Sequence, residues 1–450
     1  MTDRPAIVKE SEKRKSWEKE RAGNEVKRVE MEYRELGKVV AELIPSMEKK
    51  NPRNSEGAFL SLKNGQVLFV YSRFKGDGCE DWGVSDICAA TSSDGGRSFG
   101  QERTLLTCEG EKSVNIMSLS LMEMADGDIG LFYLARHTHT MMQMYLRRSA
   151  DNGQTWSERV LCTPQEGFFV VNNDRVVRLS SGRILIPAAC HRAGRLGEKK
   201  SRYPARTDGE ARESGYQARA DIEAKESCYP DVADTEVKEN CCQARTDGEA
   251  EESRYLDSRS EAVFFYSDDD GATWRAADGK CCMPAMRNCL SGLQEPGVLE
   301  LSPGILWGFA RTDLGRQYEM YSLDNGNTWT GAEPSRFTAP NSPLSMKRDR
   351  NGDIWAVWNP IPEYNGRGKT EVFTGGRTPY VIAVSRDNGK TFSEGTAFER
   401  EEDHGYCYCA MHFLDDALLL GYNAGGPEDG SCLARTRIRR IGREQLEALG

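Results

Sequence analysis

The sequence predicts an all-β fold, a six-bladed β-propeller of four-stranded antiparallel blades, from three features. The first is a turn pattern that occurs five times: Ser92-x-Asp94-x-Gly96-x-Ser98-Phe99, Ser149-x-Asp151-x-Gly153-x-Thr155-Trp156, Ser267-x-Asp269-x-Gly271-x-Thr273-Trp274, Ser322-x-Asp324-x-Gly326-x-Thr328-Trp329 and Ser385-x-Asp387-x-Gly389-x-Thr391-Phe392. Ser and Asp side chains bond backbone N–H groups inside a tight loop, Gly accepts the positive φ, and the closing aromatic packs beside it. The second feature is their spacing of 57, 118, 55 and 63 residues, a period near sixty once the long gap is taken to hold an insertion. A supersecondary unit repeated at such a period is a propeller signature.

The third feature is a polar turn followed by a short apolar run of strand character. Its six copies are LKNGQVLFVYSR (62–73), MADGDIGLFYLAR (124–136), LSSGRILIPAACHR (179–192), LSPGILWGFAR (301–311), RDRNGDIWAVWNP (348–360) and LDDALLLGYNAG (414–425). Five are followed by an Asp-containing turn and the last is not, which gives six blades and five boxes. The long gap contains four tandem thirteen-residue repeats, PARTDGEARESGY, QARADIEAKESCY, PDVADTEVKENCC and QARTDGEAEESRY, at 204–255. Their removal shortens the 118-residue interval to 66. Polar, charged and poor in large aliphatics, they cannot bury a core and read as a surface insertion in the third blade. Residues 1–45 are dense in Lys, Glu and Arg and read as a charged extension, a solvated helix or a disordered arm, ahead of a propeller over 46–445.

Composition narrows the function. A net charge of -10 over 450 residues disfavours a nucleic-acid partner, because an acidic surface repels a polyanion. A compact anionic ligand is compatible with it. The first residues lack the apolar core of a secretion signal and nowhere do eighteen uncharged apolar residues run together, so a cytoplasmic protein without a membrane partner is expected. The fourteen cysteines are scattered without metal-finger spacing and read as reduced, mostly buried thiols. No Gly-x-Gly-x-x-Gly loop offers a phosphate cradle, and no cofactor is expected. His137 and His139 would aim both rings one way on a strand, yet no third ligand lies nearby, so no metal is expected. Oligomeric state is not encoded in any motif.

The five boxes on their sixty-residue period, with the segments that follow, resemble the sialidase (neuraminidase) superfamily of six-bladed propellers over roughly residues 50–440. The boxes themselves resemble the bacterial neuraminidase repeat, or Asp-box. The resemblance implies a site that grips the carboxylate of an acidic sugar with three arginines, the side chain whose planar fork pairs two-point with a carboxylate and keeps its charge. The matching positions are Arg53 in NPRNSEGAF, Arg311 at the end of QEPGVLELSPGILWGFAR and Arg377 in GGRTPYVIAVSRDNGKTF. At the first of these the family usually reads Arg-Ile-Pro, and here the chain reads Arg-Asn-Ser-Glu.

Sialidases attack with Tyr in place of a carboxylate, because a phenol activated by a neighbouring Glu approaches the anionic substrate uncharged. The resemblance implies Glu295 as base, with Glu300 in reserve, and Tyr408 or Tyr406 as nucleophile. The two tyrosines are two residues apart and would share one face of a strand; the spacing to Asp416 favours Tyr408. The proton donor would be an Asp on the loop after Arg73, itself a further substrate-gripping arginine; Asp81 fits best, then Asp77, with Asp86 also in the segment. Asn173, Asp174 and Arg175 at the mouth of the third blade would read another arm of the sugar. The expected function is therefore a sialidase-like hydrolase acting with retention through a tyrosyl intermediate. The alternatives are a propeller enzyme acting on another acidic glycan, including by elimination, and a propeller that binds glycan or protein without turnover.

Overall fold

The computed structural model describes residues 35–195, 254–283, 289–362 and 374–449. The tandem repeats lie outside these residues, apart from positions 254 and 255 at the start of strand Arg254–Ser267. The described chain is almost entirely β. All six predicted turn-and-strand units are strands: Val67–Phe74, Ile129–Thr138, Ile184–Arg195, Ile305–Arg311, Ile354–Trp358 and Ala417–Gly425. Their near-continuous apolar runs follow from burial on both faces, as each lies in a sheet packed between two others. In five of the six hairpins a glycine takes the left-handed turn position, for example Gly65 at φ 83° and Gly352 at φ 92°.

Four sheets have four antiparallel strands each. The first is built from Asn54–Ser61, Val67–Phe74, Ser85–Ser92 and Gly100–Leu106, and two more span Gln294–Thr338 and Ser345–Glu399 in the same meander order. A nine-stranded sheet runs from Asn115–Glu123 to Arg275–Ala276, its two halves joined by the single parallel pair Phe168 and Met142. In the last sheet, Gly405–Phe413, Ala417–Gly425 and Thr436–Gly442 are completed by the strand Lys38–Leu43 from the other end of the chain.

That strand corrects the expectation of a charged extension through residue 45. KVVAEL pairs antiparallel along Thr436–Gly442, and its Leu43 packs with Phe59, Phe69 and Ile438. The pairing covers an edge of Thr436–Gly442 that would otherwise present bare N–H and C=O groups. The apolar residues at alternate and adjacent positions of KVVAEL carried that signal, masked by averaging over the charged residues before it.

Every Asp-box forms the predicted turn. Ser322 Oγ donates to Asp324 Oδ1 at 2.8 Å and accepts from Gly326 N–H at 2.9 Å; Thr328 N–H and Oγ1 both donate to Asp324, at 2.8 and 2.6 Å. Equivalent bonds hold the carboxyls of Asp94, Asp151, Asp269 and Asp387 well below the usual carboxylate range. The box glycine also abuts a neighbouring sheet or, for Gly271, the other half of the nine-stranded sheet. A Cβ on Gly326 would lie 3.0 Å from Leu185, on Gly271 2.7 Å from Leu146, and on Gly96 2.9 Å from Leu419 of the last sheet. Gly326, at φ 83°, therefore meets two demands, and Gly326→Ala is expected to cost about 1–3 kcal/mol from left-handed strain plus the clash. A denaturation midpoint indistinguishable from wild type would show that the boxes do not seat one sheet on the next.

Candidate active site

The strands nearest the middle of the assembly are irregular in a repeated way. Register shifts interrupt Asn54–Ser61 between Ser55 and Ala58, Asn115–Glu123 between Met117 and Ser120, Gln294–Ser302 between Gln294 and Gly297, and Gly405–Phe413 between Cys407 and Ala410. Inside these bulges Glu56, Ser118, Glu295 and Tyr408 have φ of 58°, 56°, 46° and 58°; Asp174, between strands of the nine-stranded sheet, has φ 56°. Non-glycine residues in this region cost of order 1–3 kcal/mol each and persist only where surrounding contacts impose them. Each bulge turns one polar side chain out of the strand's alternation.

Tyr408, Glu295 and Arg311 meet there. The Tyr408 hydroxyl donates to Glu295 Oε1 at 2.8 Å, and Arg311 Nη1 reaches the same oxygen at 2.9 Å and the Tyr408 hydroxyl at 3.4 Å. Arg311 Nε donates to Asn341 Oδ1 at 2.6 Å, fixing the plane of the fork. The Arg377 guanidinium lies 5.5 Å from the Tyr408 ring centroid. All three matched arginines are enclosed, with 0 %, 4 % and 5 % exposure for Arg53, Arg311 and Arg377. Arg53 is near enough for Tyr408 to act on its charge, and burial, which would lower its pKa, is outweighed by Asp81 and Glu56.

Asp81 is part of the group. Arg53 Nη1 donates to Asp81 Oδ1 at 2.6 Å and to the carbonyl of Cys79 at 3.1 Å, while Asn115 Nδ2 holds the Asp81 carbonyl at 2.6 Å. Asp77 is elsewhere, 78 % exposed and paired with Lys50. Asp86 pairs with Lys75 and caps the Cys108 N–H. Arg73 is not brought to this group: it shares a strand face with Tyr71, and both reach Glu102 on the outermost strand, at 3.7 and 3.1 Å. Glu300 is not near Tyr408 either; its carboxylate accepts from Ser180 and the Gly304 N–H as a turn clip.

The expectation that Tyr406 and Tyr408 share a face fails, and the bulge is the reason. Tyr406 is fully buried against Tyr380 and Tyr422 and donates to Glu401. The left-handed turn at Tyr408 breaks the period of two, so the nearer-to-core tyrosine and the site tyrosine part company. Asn173, Asp174 and Arg175 also differ from expectation, since their polar atoms join sheets. Asn173 Nδ2 bonds the carbonyls of Gly57 and Tyr408 at 2.7 and 3.1 Å, Asp174 accepts from Lys347 and the Met411 N–H, and Arg175 donates to the Leu344 carbonyl. His137 bonds the Tyr145 hydroxyl at 2.9 Å, and His139 lies past the end of strand Ile129–Thr138.

Glu56 was missed by sequence reasoning. It accepts from Arg53 Nη2 at 2.5 Å and from Ser118 Oγ at 2.5 Å, joining the first sheet to the next. Burial raises its pKa to about 7, Arg53 opposing and Asp81 adding to the rise. A glycine inside a strand pattern is the signal that could have found it. Gly57 follows Glu56 and Gly297 follows Glu295 by two, and a Cβ on either would strike Phe69 or Phe309 at 2.2 or 2.3 Å. The site thus holds three arginines against three carboxyls, Glu56, Asp81 and Glu295.

Four-stranded antiparallel sheets carrying Asp-box turns, with arginines, a tyrosine and carboxylates drawn from separate sheets to one centre, define a sialidase-like all-β protein. Residues 242–420 match the BNR repeat-like domain. The structure is similar to the Hadza microbial sialidase Hz136, with a TM-score of 0.59 and 15 % identity over 90 % of this chain and 68 % of that one. It is similar to the NanB sialidase of Streptococcus pneumoniae, with a TM-score of 0.57 and 11 % identity over 91 % and 71 % of the two chains. A protein of unknown function from Dyadobacter fermentans shares the fold along almost its whole length, with a TM-score of 0.56 and 15 % identity over 90 % and 99 %. At such identities the likeness is one of fold. No curated protein sequence matches the chain. Among the described residues, no helix is long and apolar enough to cross a membrane.

Proposed function

We propose that this chain is a sialidase-like glycoside hydrolase that removes terminal sialic acid, or a related acidic sugar, from a glycan. The reading takes the five sheets as six blades, the nine-stranded sheet counting as two, with the thirteen-residue repeats as an insertion in the third. The observation that carries it is the 2.8 Å hydrogen bond from the Tyr408 hydroxyl to Glu295, with Arg311 on the same carboxylate oxygen. Tyr408 oxygen bonds to the anomeric carbon as the glycosidic C–O bond breaks; Glu295 takes the phenolic proton and Asp81 gives its own to the leaving oxygen. In the second half Asp81 takes a proton from water, the water oxygen displaces Tyr408, and Glu295 returns the phenolic proton. Two displacements retain the anomeric configuration. Arg311 and Arg377 would pair with the sugar carboxylate, Arg53 closing the third side.

A second reading, an enzyme acting on a different acidic glycan, is favoured by Arg53. Its Nε, Nη1 and Nη2 all have protein partners, in Ser55, Cys79, Asp81 and Glu56, so it offers a ligand less than a vacant fork would. The two readings separate in one assay. The protein is expected to hydrolyse a fluorogenic sialoside, and Asp81→Asn to lower kcat by about 10²–10⁴-fold on a glycan with a poor leaving group. The effect should shrink on an aryl sialoside, whose phenolate leaves without a proton. No sialoside turnover, with unsaturated products formed from uronic-acid glycans, would sink the sialidase assignment in favour of the second.

A further inference from the structure

The nine-stranded sheet carries a row of side chains that runs on from Asn115, at the strand ends next to Asp81. Asn115, whose Nδ2 holds the Asp81 carbonyl, stands directly opposite Arg136 on the neighbouring antiparallel strand, so the two side chains share a face. The Arg136 guanidinium lies 5.3 Å from the ring centroid of Phe168, which stands directly opposite His191. Arg136 is only 7 % exposed. Among the described residues its partners are two neutral carbonyls, Nε donating to Thr138 and Nη2 to His139 at 3.3 Å each, and no Asp or Glu pairs with it. We infer that Arg136 and His191 form a second binding site, one that takes an oxyanion, a carboxylate or a sulfate ester, carried by a further acidic unit of the glycan.

The surroundings of Arg136 set the chemistry of the ligand. A cation withdrawn from water and answered only by carbonyl dipoles keeps an unmet demand for an anion. Burial holds Arg136 below the ordinary guanidinium pKa, and the acidic group near enough to oppose this is Asp81. Asp81 already pairs with Arg53 at 2.6 Å, so it leaves Arg136 unanswered. Phe168 backs the guanidinium with an aromatic ring, and His191 meets the same ring edge-on at 5.9 Å. His191 Nδ1 faces the Asp257 carbonyl at 3.0 Å; a carbonyl only accepts, so Nδ1 carries the proton and Nε2 the lone pair. An imidazole in that form accepts from a sugar hydroxyl beside the oxyanion. The placement on the substrate rests on the proposed function: Asp81 protonates the leaving oxygen, so a group bound beside Asn115 belongs to the sugar unit adjoining the bond that breaks.

The test is calorimetric titration of the full chain with inorganic sulfate. The wild type is expected to bind at Arg136 as well as at Arg311 and Arg377, and Arg136→Gln, which keeps amide donors for the Thr138 and His139 carbonyls, to lose one site. No sulfate binding by the wild type, or an isotherm that Arg136→Gln leaves unchanged, would overturn the inference. Should that variant fail to fold, wild-type crystals soaked in selenate decide: an anomalous selenium peak within hydrogen-bond distance of the Arg136 guanidinium supports the site, and peaks confined to Arg311 and Arg377 remove it. On substrates, Arg136→Gln should cost about tenfold or more in kcat/KM, through KM, on a glycan whose unit next to the scissile bond carries a sulfate ester or a uronic acid, and little on the neutral counterpart. The arm that responds names the group, and equal losses on all three glycans would overturn the assignment to the substrate. Sulfate and selenate binding need no turnover, so a protein inactive on sialosides loses the proposed function while the anion site is still decided.

Discussion

Tyr408→Phe is expected to lower kcat for sialoside hydrolysis by about 10³-fold or more, as loss of a nucleophile does, with little change in ligand affinity or stability. The substitution removes one oxygen and leaves the ring that lies 5.5 Å from the Arg377 guanidinium, so the cation–π contact survives. Glu295 keeps its bond to Arg311, so the vacated carboxylate is not an isolated buried charge. What is lost is the oxygen that would bond the anomeric carbon. Steady-state kinetics beside calorimetric titration with a sialic-acid analogue separate the two parameters. Near-wild-type kcat would mean that water attacks directly and Tyr408 is not the nucleophile. The parallel change Tyr406→Phe removes only the bond to Glu401 from a core tyrosine, and should leave kcat within about twofold while costing about 1 kcal/mol of stability.

Glu399→Ala is expected to destabilise the fold by about 3–5 kcal/mol near neutral pH, because it leaves the buried Arg439 guanidinium without a carboxylate, while Arg437 keeps Glu42. Glu399 Oε1 accepts from Arg437 and Arg439 at 2.8 Å each and from the Tyr422 hydroxyl at 2.6 Å. Glu399 ends the fourth strand of one sheet, while Tyr422, Arg437 and Arg439 belong to the last, so the cluster fastens two sheets together. The pH dependence has a defined sign. Burial alone would raise the Glu399 pKa, but Arg437 and Arg439 outweigh it and hold the carboxyl below its ordinary value. Such a group contributes stability above the unfolded-state carboxylate pKa and loses it as pH falls through the lower folded value. Denaturant curves of wild type and variant should therefore differ most at neutral pH and converge in acid. A difference under about 1 kcal/mol at pH 7 would place the cluster among solvent-screened pairs, contrary to its burial.

Glu56 is a further carboxyl of the site. It engages the arginine whose local sequence departs from the expected Arg-Ile-Pro, and burial holds its pKa above the ordinary carboxylate range. Arg53 is thus shared between two carboxyls of the chain itself, Glu56 and Asp81, while Arg311 and Arg377 are held by Glu295, Asn341 and sulfur. A separate surface groove near Arg350, Arg386 and Trp355 has its arginines paired with Asp415 and Asp353 and lies apart from this cluster.

The repeated architecture was legible because its signals are local. A Ser-x-Asp-x-Gly-x-Thr-Trp turn closes on itself through bonds spanning four residues, and a Gly turn followed by an apolar run forms its hairpin without long-range help. Arg53, Arg311, Glu295 and Asp81 could be chosen from motif position, and the structure brings them together. Which tyrosine stands beside Glu295 could not be read from the period of two, because the bulge at Cys407–Ala410 reverses the alternation. Arg73 misled for a related reason: its strand is regular, and the side chain follows Tyr71 outward.

By itself the sequence determined the all-β class, the box turns, the six turn-and-strand units and the segments that supply the charged residues, since each depends on neighbours within a few positions. Only the tertiary structure decided that Lys38–Leu43 completes the last sheet, that Glu56 bonds Ser118 of the next sheet, and that Arg377 donates to Cys407. Those pairings join residues tens to hundreds of positions apart, and they arise because packed sheets and bulged inner strands fix in space what no local pattern records.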